Sequence, residues 1–194
     1  MKKNSTDKPV IVPALRFPVI WGIGLLLMLN ALTAAAVEPV TGAQLWNPQP
    51  NKSDLNPGLA VTYSYGRQVH VDDIETLEFP VVGKPLANIA HRAIDGNVLT
   101  SDRPMLVAAH IRGLIRFGQI GTYTFRVESN DGVNVRIGGK RIWYDPEIHA
   151  NRWSPPIPFE VLQPGWYELW INYYQKKGTS CLLYTSAAAD ERSS

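Results

Sequence analysis

The sequence predicts an all-β domain, an antiparallel β-sandwich or barrel. Short apolar segments recur along the chain beyond Gly58, with the spacing of strands. The segment 122–128 alternates between apolar and polar residues, which places Tyr123, Phe125 and Val127 on one face. Turn sequences separate the segments: Asn130-Asp131-Gly132, Gly138-Gly139, Pro164-Gly165 and Lys176-Lys177-Gly178. Six Trp and eight Tyr agree with this prediction, because aromatic side chains pack well on pleated sheets.

Residues 1–36 predict a signal peptide. Four basic residues form its head, 19–29 is apolar, and Ala34-Ala35-Ala36 offers a small-residue cleavage site. We expect cleavage after Ala36, which places the mature protein in the periplasm or at the cell surface, or secreted. The alternative is an uncleaved anchor, because 17–37 is just long enough to span a bilayer. The domain would then face the periplasm from the inner membrane, and the leader would be its only membrane contact.

The rest of the chain divides into a linker at 37–56, one domain at 57–186 and a flexible tail at 187–194. The linker is rich in Pro, Asn and Gln, and the tail is small and polar. We expect 133–137 to pair antiparallel with 122–128 through the Asn130-Asp131-Gly132 turn. That hairpin would bury Tyr123, Phe125, Val135 and Ile137. The single cysteine, Cys181, is expected to be a small buried hydrophobe.

Charge and motifs exclude two broad classes of function. Four of the 19 basic residues and one of the 17 acidic residues precede residue 37, leaving 15 basic and 16 acidic groups. No basic cluster remains to follow a phosphate backbone, so nucleic acid is not an expected partner. The sequence also lacks the Gly-x-Ser-x-Gly, His-Glu-x-x-His and phosphate-binding loop motifs. We therefore expect a protein that is not an enzyme.

The run 121–132, Gly-Thr-Tyr-Thr-Phe-Arg-Val-Glu-Ser-Asn-Asp-Gly, resembles the Gly-x-Tyr-x-Phe strand and Ser-Asp-Asp-Gly turn of PA14 domains. Two flanking segments agree with it: His110-Ile111-Arg112-Gly113 upstream, and 161–167, Val-Leu-Gln-Pro-Gly-Trp-Tyr, downstream. The resemblance covers 57–186 and is weakest over 66–104. It implies a β-sandwich or barrel-like module of the kind found in toxins, glycosidases, adhesins and yeast lectins.

The resemblance also bears on metal binding. In the lectin branch of the family, two adjacent Asp residues at this turn hold a calcium ion that bridges to sugar hydroxyls. Here the positions are Asn130 and Asp131, so only one of the two is an acid. A neutral amide oxygen holds a hard cation less tightly than a carboxylate, and we expect weak calcium binding at most, with no other cofactor. The alternative is a turn with a structural role only.

The segment Tyr144 to Trp153 is the candidate ligand-binding loop. It combines Tyr144, Asp145, His149, Asn151 and Trp153, a mixture of hydrogen-bonding groups and aromatic rings that suits sugars. The alternative is a packed polar loop that covers the sheet.

A second candidate surface lies on the late strand. By the two-residue period, Trp166, Trp170 and Tyr174 share one face. If that face is solvated, it forms an aromatic stripe suited to a glycan or a protein; if it is covered, it is core.

Two functions remain open at this point. The first is a carbohydrate-binding module at the cell surface or in the periplasm, with calcium assistance as a variant. The second is a structural or protein-interaction module of the cell envelope, which would present an aromatic face or an open strand edge to a partner protein.

Overall fold

The computed structural model of the protein describes residues 37–68, 70–93 and 96–188. The predicted signal peptide and residues 189–194 of the predicted tail lie outside the described residues. In the part of the chain that is described, no helix has the length and apolar character needed to span a bilayer.

The described residues form two antiparallel sheets packed face to face. One sheet has six strands in the order β2-β1-β4-β10-β6-β7, and the other has the order β3-β11-β5-β8, with β9 also paired to β5. The strands are β1 (Ala60–Tyr65), β2 (Val81–Val82), β3 (Ala90–Ala93), β4 (Val107–Phe117), β5 (Gly121–Ser129), β6 (Val133–Ile137), β7 (Lys140–Asp145), β8 (Arg152–Trp153), β9 (Ile157–Val161), β10 (Gly165–Gln175) and β11 (Ser180–Ala188). Two short 3-10 helices occupy Lys52–Asp54 and Val71–Thr76. The predicted β-sandwich is confirmed.

The core lies between the sheets and is built by the inward residues of each alternating strand. Phe125 on β5 meets Phe117 and Phe159 at ring-centroid distances of 6.1 and 5.6 Å. Phe125, Val135 and Ile137 are fully buried, as the sequence predicts. Tyr123 is only partly buried, because its hydroxyl extends to the carbonyl oxygen of Gln119. Cys181 is buried, as predicted.

The predicted hairpin between 122–128 and 133–137 is wrong. Strand β5 pairs with β11, β9 and β8, whereas β6 pairs with β10 and β7 in the other sheet. The turn therefore carries the chain across the sandwich. Asp131 takes the left-handed conformation, with φ of 63°. A Cβ on Gly132 would overlap the Tyr174 ring and lie 2.7 Å from the Pro146 carbonyl oxygen, so close packing requires this glycine. A hairpin and a crossover share the same local turn residues.

The segment predicted as a linker is joined to the domain by backbone hydrogen bonds. The amide of Val40 donates to Pro158, and the amide of Gln44 donates to Gly138. At the other end, β11 extends to Ala188, so the first residues of the predicted tail pair with β5. The folded domain is longer at both ends than 57–186.

Candidate functional site

The turn at Asn130 and Asp131 is buried and its polar atoms are bonded to the protein. The Asp131 carboxylate accepts the backbone N–H of Lys176 at 2.7 Å, and its own amide donates to the His149 carbonyl at 3.1 Å. The Asn130 side chain donates to Asn151 at 2.7 Å and accepts from Gln175 at 3.3 Å. Burial raises the pKa of Asp131, and the backbone donors act in the opposite direction.

The loop after β7 closes over this turn. Asp145 is only 4% exposed and receives two charge-assisted hydrogen bonds from Arg152, with Nε at 2.7 Å from Oδ2. The His149 Nε2 atom lies 3.1 Å from the same carboxylate, without hydrogen-bond geometry. We call these residues the crossover cluster: Asn130, Asp131, Asp145, His149, Asn151 and Arg152.

The two aromatic members of the predicted loop site are not brought together. The Tyr144 hydroxyl donates to Asp72 at 2.7 Å on the outer face of the six-stranded sheet. Trp153 pairs with Glu128 at the edge of the other sheet and is 40% exposed beneath Arg126. The polar members of the segment are hydrogen-bonded to one another and to the turn, and ligand binding by this segment stays a prediction.

The crossover cluster is a poor fit to Ca²⁺, which requires six to eight oxygen ligands. Asn130 Oδ1 and Asp131 Oδ2 accept hydrogen bonds from protein N–H donors, and Asp145 faces Arg152. Across the ranges 37–68, 70–93 and 96–188, no three His, Cys, Asp or Glu residues are grouped so as to hold a metal ion.

The late aromatic stripe is covered in part. Tyr174 is fully buried beneath the 3-10 helix at Val71–Thr76, where it packs against Val71 and Ile74. Trp170 lies between two guanidinium groups, Arg112 at 4.3 Å and Arg136 at 4.8 Å from the ring centroid. Trp166 lines an open groove.

This groove forms where β4 runs on past the start of β1. The two strands pair only as far as Ala60 and Arg112, so within the described residues 113–117 of β4 has no paired strand on that side, although Leu59 lies against Gly113. The volume enclosed is about 540 Å³. Leu55, Pro57, Pro85 and Leu114 form its apolar walls, and Lys52, Asn56, Arg112 and Trp166 supply its polar and aromatic groups. We call it the Trp166 groove.

The segment 37–56, which the sequence predicts as a linker, is hydrogen-bonded to the backbone of Trp166. The Trp166 amide donates to the Gln49 side chain at 2.8 Å, and its carbonyl accepts from the Trp46 amide at 2.8 Å. Sequence reasoning identified Trp166 but missed Lys52, Asn56 and Arg112. Lys52 and Asn56 belong to the segment predicted as a linker, and Arg112 lies in the His110-Ile111-Arg112-Gly113 segment, to which no binding role was assigned.

Arg112 is the half-buried cation of the groove. Its Nη1 atom donates to the carbonyl oxygens of Ile111 at 2.9 Å and Ile171 at 3.2 Å. Burial lowers the pKa of Arg112 to about 10, with Glu168 opposing the shift and Arg136 adding to it. Burial and the Arg112 charge together lower the pKa of the neighbouring His110 to about 4.

No family model and no curated protein matches the sequence. Several solved structures have a similar fold. The PA14 domain of the antifreeze protein MpAFP superposes with a TM-score of 0.59 at 16% identity, over 81% of this chain and 90% of that one. A PA14 sugar-binding domain from an RTX adhesin gives 0.54 at 18% identity, over 69% and 91%.

A third similar structure is the A domain of epithelial adhesin 9 from Candida glabrata, in complex with Galβ1-3GlcNAc. It has a TM-score of 0.54 at 10% identity and covers 78% of this chain and 89% of that one. At these identities the similarity concerns the fold. The chain has a PA14-like fold.

Proposed function

We propose that this protein is an exported, non-catalytic module that binds carbohydrate in the Trp166 groove, at the cell surface or in the periplasm. The observation that carries the proposal is an indole ring in an open groove beside hydrogen-bonding side chains. An aromatic face packs on the C–H surface of a sugar ring, while a few polar groups bond its hydroxyls. Asn56, Lys52 and Arg112 are the polar groups available.

The similarity in fold also supports carbohydrate binding. Two of the similar structures are a sugar-binding domain of an adhesin and an adhesin domain in complex with a disaccharide. A fold does not fix a ligand, so the groove and not the fold carries the argument. Calcium is not part of the proposal, because Asn130 Oδ1 and Asp131 Oδ2 accept hydrogen bonds within the protein.

The residues of the groove support a binding role without catalysis. Glycoside hydrolysis uses two carboxyl groups at a fixed separation. Among the described residues that line the groove there is no Asp or Glu, and no His, Ser or Cys. The groove therefore offers contacts for a ligand and no pair of groups for acid–base chemistry.

Export is the part of the proposal that depends on residues 1–36. Mass spectrometry of the protein recovered from the producing cells tests it. A mature chain beginning near Val37 supports cleavage, and a full-length chain in the membrane fraction would contradict it in favour of the anchor.

Binding is tested by a survey of immobilised glycans, with calcium and with a chelator. We compare the natural chain with Trp166→Ala and with Trp153→Ala as the matched control. We expect Trp166→Ala to weaken binding at least tenfold, Trp153→Ala to leave it unchanged, and the chelator to have no effect. Equal loss in the two variants, or loss only in Trp153→Ala, would contradict the groove as the site.

A protein-interaction module is the second candidate. The unpaired edge at 113–117 of β4 favours it, because an extended segment of another protein can add to an open strand edge. The glycan survey separates the two. Failure of every glycan class to bind would leave the edge of β4 as the functional surface.

A further inference from the structure

The charges inside the Trp166 groove are all of one sign. Lys52 and Arg112 are the ionisable side chains that line it, and no carboxylate does so among the described residues. From this we infer that the groove binds an acidic saccharide, one that carries a carboxylate such as a uronic acid. The inference rests on the proposed function and names the class of sugar that the groove takes.

Arg112 lacks the partner that a comparable arginine has. Arg112 and Arg136 are the two half-buried arginines among the described residues. Arg136 lies 3.8 Å from the Glu75 carboxylate, whereas no carboxylate of the described chain lies within 4.0 Å of Arg112. A partly desolvated cation without a counter-ion gains more from an incoming anion than an exposed cation does.

The orientation of Arg112 is fixed before any ligand arrives. Its guanidinium lies over the Trp170 ring, and Nη1 donates to two backbone carbonyls. The Nε atom has no hydrogen-bond partner among the described residues. One Nη2 hydrogen is directed at Asn172 Oδ1, 3.5 Å away. Nε and the second Nη2 hydrogen can therefore donate to a carboxylate. Little side-chain entropy is lost on binding, because the rotamer is already held.

Glu168 is the acid that acts most strongly on Arg112, and it does not line the groove. Arg136 acts on Arg112 with the opposite sign and opposes part of the effect of Glu168. Lys52, on the exposed 3-10 helix, adds a second cation to the lining of the groove. The two cations and the Trp166 ring thus define a site for a charged group attached to an apolar ring face.

The experiment compares two probes of the same length. Tetragalacturonate carries carboxylates, and its fully methyl-esterified form has the same sugars without the charge. Calorimetry on the full chain at fixed ionic strength is expected to show at least tenfold tighter binding of the acid, because charge-assisted hydrogen bonds are lost in the ester. Trp166→Ala is expected to weaken the binding of both probes.

Lys52→Gln isolates the charge. Lys52 is exposed, so this change leaves the core intact. We expect it to weaken binding of the acid about five- to tenfold and so to narrow the preference for acid over ester. Lys140→Gln removes an equally exposed charge on β7, away from the groove, and is expected to leave the preference unchanged.

The outcomes separate this inference from the function on which it rests. Equal affinity for acid and ester, with both lost in Trp166→Ala, would overturn the acidic ligand and keep the carbohydrate site. Equal effects of Lys52→Gln and Lys140→Gln would overturn the role of the groove charges. No binding of either probe would overturn the inference, and the glycan survey would then decide the function.

Discussion

The crossover cluster and the Trp166 groove both contain charged side chains, which are paired within the protein in the cluster and, among the described residues, not paired with an acid in the groove. In the cluster, the Asp145 carboxylate faces Arg152 and the Asp131 carboxylate accepts a backbone N–H. In the groove, Arg112 and Lys52 have no acid within salt-bridge distance in the described chain. Polar groups that bond one another stabilise a fold, whereas groups left facing solvent are available to a ligand. The comparison predicts that changes in the cluster lower stability and changes in the groove lower binding.

Asp131→Ala should give the largest effect. The change leaves the Lys176 amide without its acceptor and removes a buried carboxylate that joins two loops. We expect the free energy of unfolding to fall by about 1.5–3 kcal/mol, the range for hydrogen bonds to charged groups. Urea unfolding measures it, with Lys52→Gln as the control from the groove, expected to change stability by less than about 0.5 kcal/mol. A similar decrease in the free energy of unfolding for the two variants would contradict the prediction that the cluster stabilises the fold and the groove does not.

Asp145→Asn should give the next largest effect. The substitution keeps the shape of the side chain and removes the charge that faces Arg152. Arg152 is itself half exposed, with 55% of its side chain accessible, so solvent screens part of the loss. We expect a decrease of about 1–2 kcal/mol in the free energy of unfolding, with glycan binding unchanged. Loss of glycan binding at unchanged stability would show that the ligand binds at the loop from Tyr144 to Trp153.

His110 links the groove face to pH. Its pKa is about 4 in the folded protein and about 6.5 when unfolded, so the unfolded state binds more protons between these values. Stability is therefore lost as the pH falls from about 6.5 to about 4. We expect the natural chain to lose about 1 kcal/mol more than His110→Gln across this window, after allowance for solvent screening. Thermal melts at pH 7 and pH 4.5 test it; parallel decreases would contradict the assignment.

Calcium should give the smallest effect. Because Asn130 Oδ1 and Asp131 Oδ2 accept protein hydrogen bonds, millimolar calcium is expected to leave the melting temperature unchanged. Asn130→Asp restores the paired acids of the lectin branch and serves as the comparison. A rise in melting temperature for the natural chain would show that Ca²⁺ competes with the protein donors at this turn.

The strands could be predicted from the sequence because alternation and burial are local. The connection between the strands could not be predicted, because the Asn130-Asp131-Gly132 turn is equally compatible with a hairpin. The pairing of β6 with β10 shows that the chain crosses to the other sheet at this turn. The stripe of Trp166, Trp170 and Tyr174 was identified by period. Which of the three is open depends on what covers the sheet, here the 3-10 helix at Val71–Thr76 over Tyr174. Arg112 and Lys52 are far apart in the sequence, and only the tertiary fold places both in the lining of one groove.

The most direct test follows the indole N–H signals of Trp166 and Trp153 by NMR during a titration with tetragalacturonate. Each signal is assigned by its Trp→Phe variant. One tryptophan lies in the groove and the other lies beside the crossover cluster, so a single titration reports on both regions. The account predicts a progressive shift of the Trp166 signal while Trp153 stays in place. A shift of Trp153 alone, or no shift of either signal, would contradict it.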